Sequence, residues 1–219
     1  MLNRRGFVAW CAGAFLAFAT LTGHAQSQEA PDALIQRLSD EVLQTIKQDR
    51  AVQAGSLPRI MELVDAKIMP HVNFRRMTAL TVGRYWRQAT PEQQQRLQEE
   101  FKQLLIRSYA GAVNQVRDYQ VVVKPLRADP EDKEVIVRTE VRGGKEPVQL
   151  DYRLEKTPNG WKIYDVNVLG IWLVENYRSS FAQEIGQHGI DGLIARLAER
   201  NKSGAAGNGA TNASANGRS

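Results

Sequence analysis

Between residues 31 and 200 the spacing of apolar positions changes character twice. From Pro31 to about Arg50, Leu34, Leu38, Val42 and Ile46 recur on one face with charges opposite, the period of an amphipathic helix. Gly55-Ser56 breaks that pattern, and Ser56 with Pro58 can start a second helix, with Ile60, Val64 and Ile68 inward, ending near Pro70. A third helical segment runs from Asn73 to about Arg87. Thr90-Pro91-Glu92-Gln93 then offers an N-cap, a proline at the first helical position and a capping-box glutamine. The helix it opens reaches about Arg117, with Leu97, Phe101, Leu104, Leu105 and Tyr109 as its apolar stripe.

The period then drops to two. Tyr119 to Lys124 is rich in β-formers, and Val135, Val137, Thr139 and Val141 alternate with Ile136, Arg138 and Glu140. After a turn at Gly143-Gly144, Val148, Leu150, Tyr152 and Leu154 alternate with Gln149, Asp151, Arg153 and Glu155, which predicts one buried and one wet face. Thr157-Pro158-Asn159-Gly160 turns the chain into Trp161 to Val168. Four strands joined by short turns make an antiparallel meander. Beyond Gly170 helix returns, from about Ile171 to Ile185, and after Gly186 and Gly189 a last helix capped by Asp191 ends near Arg200. Helices, then strands, then helices argue for an α+β fold, a sheet covered by helices on one face, in a single domain over 26–200.

Composition alters this picture mainly at the ends. The 219 residues include 29 Lys plus Arg and 24 Asp plus Glu, a net charge of +5. Arg4, Arg5, Lys202 and Arg218 lie in end segments that hold no acid; without those four, residues 26–200 carry 25 basic and 24 acidic residues. That near-neutral domain lacks the basic field of a nucleic-acid binder. Residues 1–25 read as an export signal: a basic start, an apolar run from Phe7 to Leu21 shorter than the roughly 20 residues of a spanning helix, and small residues ending at Ala25. Asn3-Arg4-Arg5-Gly6-Phe7-Val8 also fits a twin-arginine signal, so the export route stays open between the two kinds. The single cysteine, Cys11, belongs to that signal and rules out a disulfide framework within the chain. Asn201 to Ser219 is Gly, Ala, Asn and Ser with hardly anything to bury, and reads as a disordered tail over 201–219.

Catalytic and metal chemistry leave few candidates. His71 and His188 stand far apart, in no ligand motif. No nucleophile elbow, phosphate loop or dinucleotide fingerprint is present. Asp165 is the exception, a carboxylate on a strand otherwise full of Trp, Ile, Tyr and Val. In an apolar pocket it could serve as an acid or base, making the chain an isomerase or dehydratase with a small cavity. On the bland reading it is bonded to backbone or to an arginine.

Several stretches together resemble one family. They are Val82-Gly83-Arg84-Tyr85-Trp86 running into Ala89-Thr90-Pro91, the Phe101 to Tyr109 helix, Pro147-Val148-Gln149-Leu150-Asp151-Tyr152, Trp161 with Tyr164-Asp165, and Gly189-Ile190-Asp191-Gly192-Leu193. In order and spacing they are similar to the periplasmic phospholipid-binding proteins of the MlaC, or toluene-tolerance, type, over about 31–200. The Asn/Gly/Ala tail and the twin-arginine motif depart from that pattern. The resemblance implies an NTF2-like fold, with a curved antiparallel sheet of about four strands and helices enclosing an apolar cavity for acyl chains. It implies a monomeric periplasmic carrier with no catalytic residue and no cofactor, and phospholipid as cargo. Its implied partners are the outer-membrane lipoprotein MlaA with a porin, and an inner-membrane ABC transporter bearing an MCE-domain subunit. Shuttling between them would maintain outer-membrane lipid asymmetry.

Alternation nominates the lining. Leu150, Tyr152 and Leu154 come from the cleanest strand, Val135, Val137 and Val141 from its neighbour, and Val166 and Val168 from the last strand. Ile171 and Trp172 stand near a plausible mouth. Phe74, Met77, Leu80, Phe101, Leu104 and Leu105 would form a helical wall. A carrier is expected to need more room than the usual ligand pocket of about 300–1,000 Å³, a small-pocket enzyme less, and an interaction module with a filled core none.

Overall fold

The computed structural model describes residues 29–113, 118–129, 131–144 and 146–203. The expected export signal over 1–25 and the chain beyond Ser203 lie outside the described residues, as do residues 114–117, where the long central helix was expected to end.

Helix α1 (Pro31–Gln48) begins on a proline and buries Leu34, Ile35, Leu38 and Ile46 along one stripe. It stops two residues before the expected boundary because Asp49 leaves helical geometry (φ −99°, ψ 105°). The Asp49 carboxylate instead accepts the Ala51 and Val52 N–H groups, at 2.9 and 3.1 Å, and so opens the short α2 (Arg50–Gln53). Helix α3 (Leu57–Leu63) passes into a π-helical turn (Val64–Ile68) and a 3-10 turn (Met69–His71) where one continuous helix was expected. Pro70 supplies the reason: it has no N–H to donate and its ring clashes with the carbonyl four residues back, so the winding changes around it.

The Asn73 side chain caps α4 (Phe74–Val82) by accepting from Arg76 N–H at 3.0 Å. Gly83, at φ 66°, diverts the chain into a 3-10 turn (Gly83–Arg87). The capping box forms at the start of α5 (Pro91–Val113): Thr90 N–H donates to Gln93 Oε1 at 3.0 Å, and Gln93 N–H to Thr90 Oγ1 at 3.2 Å.

Five strands form one antiparallel meander in chain order: β1 (Gln120–Val123), β2 (Glu134–Arg142), β3 (Val148–Thr157), β4 (Gly160–Val168) and β5 (Ile171–Trp172). The fifth takes the first two residues of the helix expected from about Ile171 to Ile185. Leu169 and Gly170 both take positive φ, 54° and 87°, the geometry of a two-residue hairpin turn, so the chain pairs back on β4 before α6 (Leu173–Lys202) begins. A register shift between Arg153 and Leu154 bulges β4 at Tyr164 and adds curvature.

Register sorts the two faces. One carries the cross-strand rows Val135–Leu154–Ile163, Val137–Tyr152–Val166 and Thr139–Leu150–Val168. The other carries Arg153–Asp165 and Asp151–Asn167–Trp172. The two expected faces of β3 form, with Leu154 fully buried and Gln149 exposed, but burial does not divide cleanly between them. Asp151 is buried, its carboxylate accepting from Thr139 N–H at 3.2 Å and Gln149 Nε2 at 2.6 Å, while Leu150 and Tyr152 are only half-buried.

Three apolar clusters hold the layers together. One joins α4, α5 and α6 around Phe101, whose ring meets Tyr177 and Phe181 edge-on at 5.3 and 5.2 Å. A second seats Leu34, Ile35 and Leu38 of α1 on Val135, Val137, Leu154 and Ile163. A third gathers Ile46, Val52, Ile60, Leu63 and Ile106. Helix α6 is interrupted at Gly189, whose backbone is non-helical (φ 71°, ψ −178°), so two helical segments meet there as the glycines led one to expect, and the second runs through Lys202. Asn201, the first residue of the expected tail, is buried. Its Nδ2 donates to the Glu100 carbonyl and carboxylate at 3.0 and 2.8 Å, so ordered chain runs past the expected boundary.

Candidate functional site

Where the three clusters meet they leave a cavity of about 400 Å³. Helix α1 contributes Ile35, Leu38, Ser39, Val42, Leu43 and Ile46, and the irregular turn after α3 contributes Val64, Ile68, Met69 and Val72. Phe74 and Met77 come from α4, and Lys102, Leu105, Ile106, Ala112 and Val113 from α5. The sheet supplies Val121, Val141, Leu150, Tyr152, Ile163 and Val166, and Leu173 closes the ring from α6. Nearly every lining atom is carbon. Such a wall strips water from aliphatic groups and offers almost no hydrogen bond to a polar ligand.

The polar exceptions are few. The Tyr152 hydroxyl lies close to the Ser39 and Thr139 side chains, between β3, α1 and β2. Thr139 Oγ1 donates to the Leu150 carbonyl. Burial pushes the Tyr152 phenol well above its ordinary range, so it stays neutral. Lys102 brings the one charge among the described lining residues, and its ammonium pairs with Asp65 at 3.0 Å and Glu99 at 3.4 Å.

Of the nominated residues, Phe74, Met77, Leu105, Val141, Leu150, Tyr152 and Val166 line this cavity. The others do not. Phe101 and Leu104 are fully enclosed in the helical core, and Leu80 packs against it. Val135, Val137 and Leu154 share the cavity-side face of the sheet but lie under α1. Val168 faces the helical core. Ile171 sits at the exposed β4–β5 turn, and Trp172 points to the opposite face, beneath the Arg153 guanidinium at 3.9 Å.

The same covering by α1 explains the volume. Val135, Val137 and Leu154 on the cavity-side face of the sheet are filled core under α1, so the cavity falls within the ordinary range for a ligand pocket and not beyond it, as had been expected. The lining that sequence reasoning missed is chiefly α1. Residues 35, 38, 39, 42, 43 and 46 make a stripe two residues wide, broader than the single line of Leu34, Leu38, Val42 and Ile46.

Asp165 stands apart from the cavity, fully buried on the other sheet face. One carboxylate oxygen accepts from Val166 N–H (2.9 Å) and Val174 N–H (3.1 Å), and the other from Arg153 Nη1 (3.0 Å). Burial raises its carboxyl above the ordinary value, against the pull of Val174 N–H, Arg153 and Val166 N–H. Its place is structural: it anchors the first turn of α6 to the sheet. Among the described residues no three His, Cys, Asp or Glu side chains gather as a metal site. Burial lowers the His71 imidazole, which keeps it neutral. No helix of the described residues is long and apolar enough to cross a membrane.

Comparison with known proteins agrees with this geometry. A solved phospholipid-binding protein from Ralstonia solanacearum, in complex with a phospholipid, superposes with a TM-score of 0.77 at 49% identity, covering 80% of this chain and 98% of its own. Toluene tolerance protein ttg2D of Pseudomonas putida is 30% identical over 190 residues, 86% of this chain and 85% of the relative. The intermembrane phospholipid transport system binding protein MlaC of Haemophilus influenzae is 20% identical over 181 residues, 81% and 85% of the two chains. The model of the MlaC protein family matches residues 36–199, nearly the whole span from α1 to α6, and the chain belongs to that family.

Proposed function

We propose that this protein is a soluble periplasmic phospholipid carrier that holds acyl chain in the cavity between α1, α5 and the sheet and moves lipid between the outer and inner membranes. The apolar lining carries the reading, and the phospholipid held by the Ralstonia relative supports it. Taking a methylene to fill about the volume of a water molecule, ~30 Å³, the cavity takes on the order of a dozen methylenes, roughly one acyl chain. At about 0.8 kcal/mol each, their burial stabilises the complex by roughly 10 kcal/mol as an upper figure. A second chain requires α1 or the turn after α3 to move outward, or else lies along the mouth.

Binding of that strength makes unaided release slow. Unloading therefore calls for a partner that opens the cavity or continues its apolar path. In this reading the partners are the outer-membrane lipoprotein MlaA with its porin on one side, and an ABC transporter with an MCE-domain subunit on the other. Asp165 takes no part, and no step is chemical.

The test is transfer of a fluorescent phospholipid from donor to acceptor vesicles through the aqueous phase. The purified protein alone is expected to extract the lipid from donor vesicles in proportion to its concentration, while delivery to the acceptor vesicles stays slow until a partner that opens the cavity is added. A rate equal to the protein-free control, with no lipid recovered on the protein, would refute the carrier.

A further inference from the structure

Lys102 joins two environments. Its stem belongs to the apolar wall of α5, one turn before Leu105 and Ile106, while its ammonium reaches two carboxylates at the surface. The Lys102 side chain is 19% exposed; those of Asp65 and Glu99 are each 53% exposed. Asp65 lies on the π-helical turn, none of whose residues is buried. The turn's other ion pair, Lys67 to Glu41, spans 3.8 Å. Exposed pairs of this kind contribute little stability, so an anion better placed than Asp65 can replace it.

We propose that Lys102 is the phosphate-binding residue of this cavity, and that the phosphodiester of the cargo takes the place of Asp65 on its ammonium. The inference rests on the phospholipid-carrier reading and adds a polar contact to it. A lipid whose chains lie against Leu105 and Ile106 carries its phosphate only a few bonds from the first methylenes, at the edge of the wall where the Lys102 ammonium emerges. A compact cation with three donors suits a phosphate that arrives from several directions, and charge-assisted bonds to it exceed neutral ones in strength. Exchange also loosens the π-helical turn from α5 as cargo arrives.

The experiment compares two ligands that share their acyl chains: a phosphatidylcholine, and the diacylglycerol without its phosphate. Dissociation constants are measured for the delipidated parent, Lys102→Gln and Asp65→Asn, with thermal melting to confirm that each variant folds. Lys102→Gln is expected to weaken phosphatidylcholine about tenfold and leave diacylglycerol within about twofold, the signature of one charge-assisted contact. Asp65→Asn, which removes the competitor, is expected to tighten phosphatidylcholine about threefold. Equal losses for the two ligands would assign Lys102 to wall packing, and no loss for either would remove it from the site; both overturn the proposal. A parent that binds neither ligand would instead refute the carrier reading on which it stands.

Discussion

Two leucines of β3, four residues apart on the same sheet face, should respond oppositely to the same substitution. Leu150 is half-buried and lines the cavity; Leu154 is fully buried beneath α1 against Ile35 and Val137. Leu150→Glu places a carboxylate in a wall where the cavity leaves room for it and its water, so folding loses little. An acyl chain then cannot lie along that stretch. Displacing three or four methylenes at about 0.8 kcal/mol each weakens binding by roughly 3 kcal/mol, on the order of a hundredfold. Leu154→Glu removes a packed side chain and buries an unpaired charge, together costing about 5 kcal/mol or more, most of the stability of a domain this size. Phospholipid recovered per mole of protein and the melting temperature distinguish the two outcomes. Leu150→Glu should melt near the parent and carry little lipid; Leu154→Glu should fail to fold. If Leu150→Glu is destabilised as severely as Leu154→Glu, Leu150 is ordinary core; if it folds and carries lipid like the parent, the acyl chain does not lie there.

Asp165→Ala leaves Arg153 without its buried partner and the Val174 N–H without an acceptor, and should destabilise the fold by about 3 kcal/mol in denaturant melts; a loss near zero would dismiss its anchoring of α6. Leu169 holds a left-handed backbone at the β4–β5 turn and is 61% exposed. Leu169→Asn should therefore raise stability by about 1 kcal/mol, and a fall in melting temperature would show that the side chain packs. Glu134 is held below the usual carboxylate range chiefly by its hydrogen bond from Arg76, with a further one from Tyr164. The stability this gives is present above the unfolded value near 4.5 and is lost as pH falls through the lower folded value. The stability gap between the parent and Glu134→Gln should accordingly shrink on acidification below that point, and a widening gap would reverse the assignment.

Much of the fold was legible in local chemistry. Thr90-Pro91-Glu92-Gln93 specifies a helix start by sterics and reciprocal hydrogen bonds alone, and the alternations in β2 and β3 follow from a two-residue period. What alternation could not give was the difference between lying on the cavity-side face of the sheet and lining the cavity. Val137 and Tyr152 are direct cross-strand neighbours, yet α1 covers the first and leaves the second open to the cavity. That outcome depends on where a helix more than a hundred residues away from Tyr152 comes to rest. Asp165 was ambiguous for a similar reason: its partner Val174 belongs to an element whose start is set by the Leu169-Gly170 turn. Trp172 reversed face because two residues expected in a helix extend the sheet.

The central claim, that the cavity holds phospholipid, is tested most directly by native mass spectrometry of the protein purified from cells without detergent, with organic extraction of the same sample. The account predicts discrete adducts of phospholipid mass, removed by extraction and strongly reduced in Leu150→Glu. A bare chain mass that stays unchanged after incubation with phospholipid vesicles would contradict it.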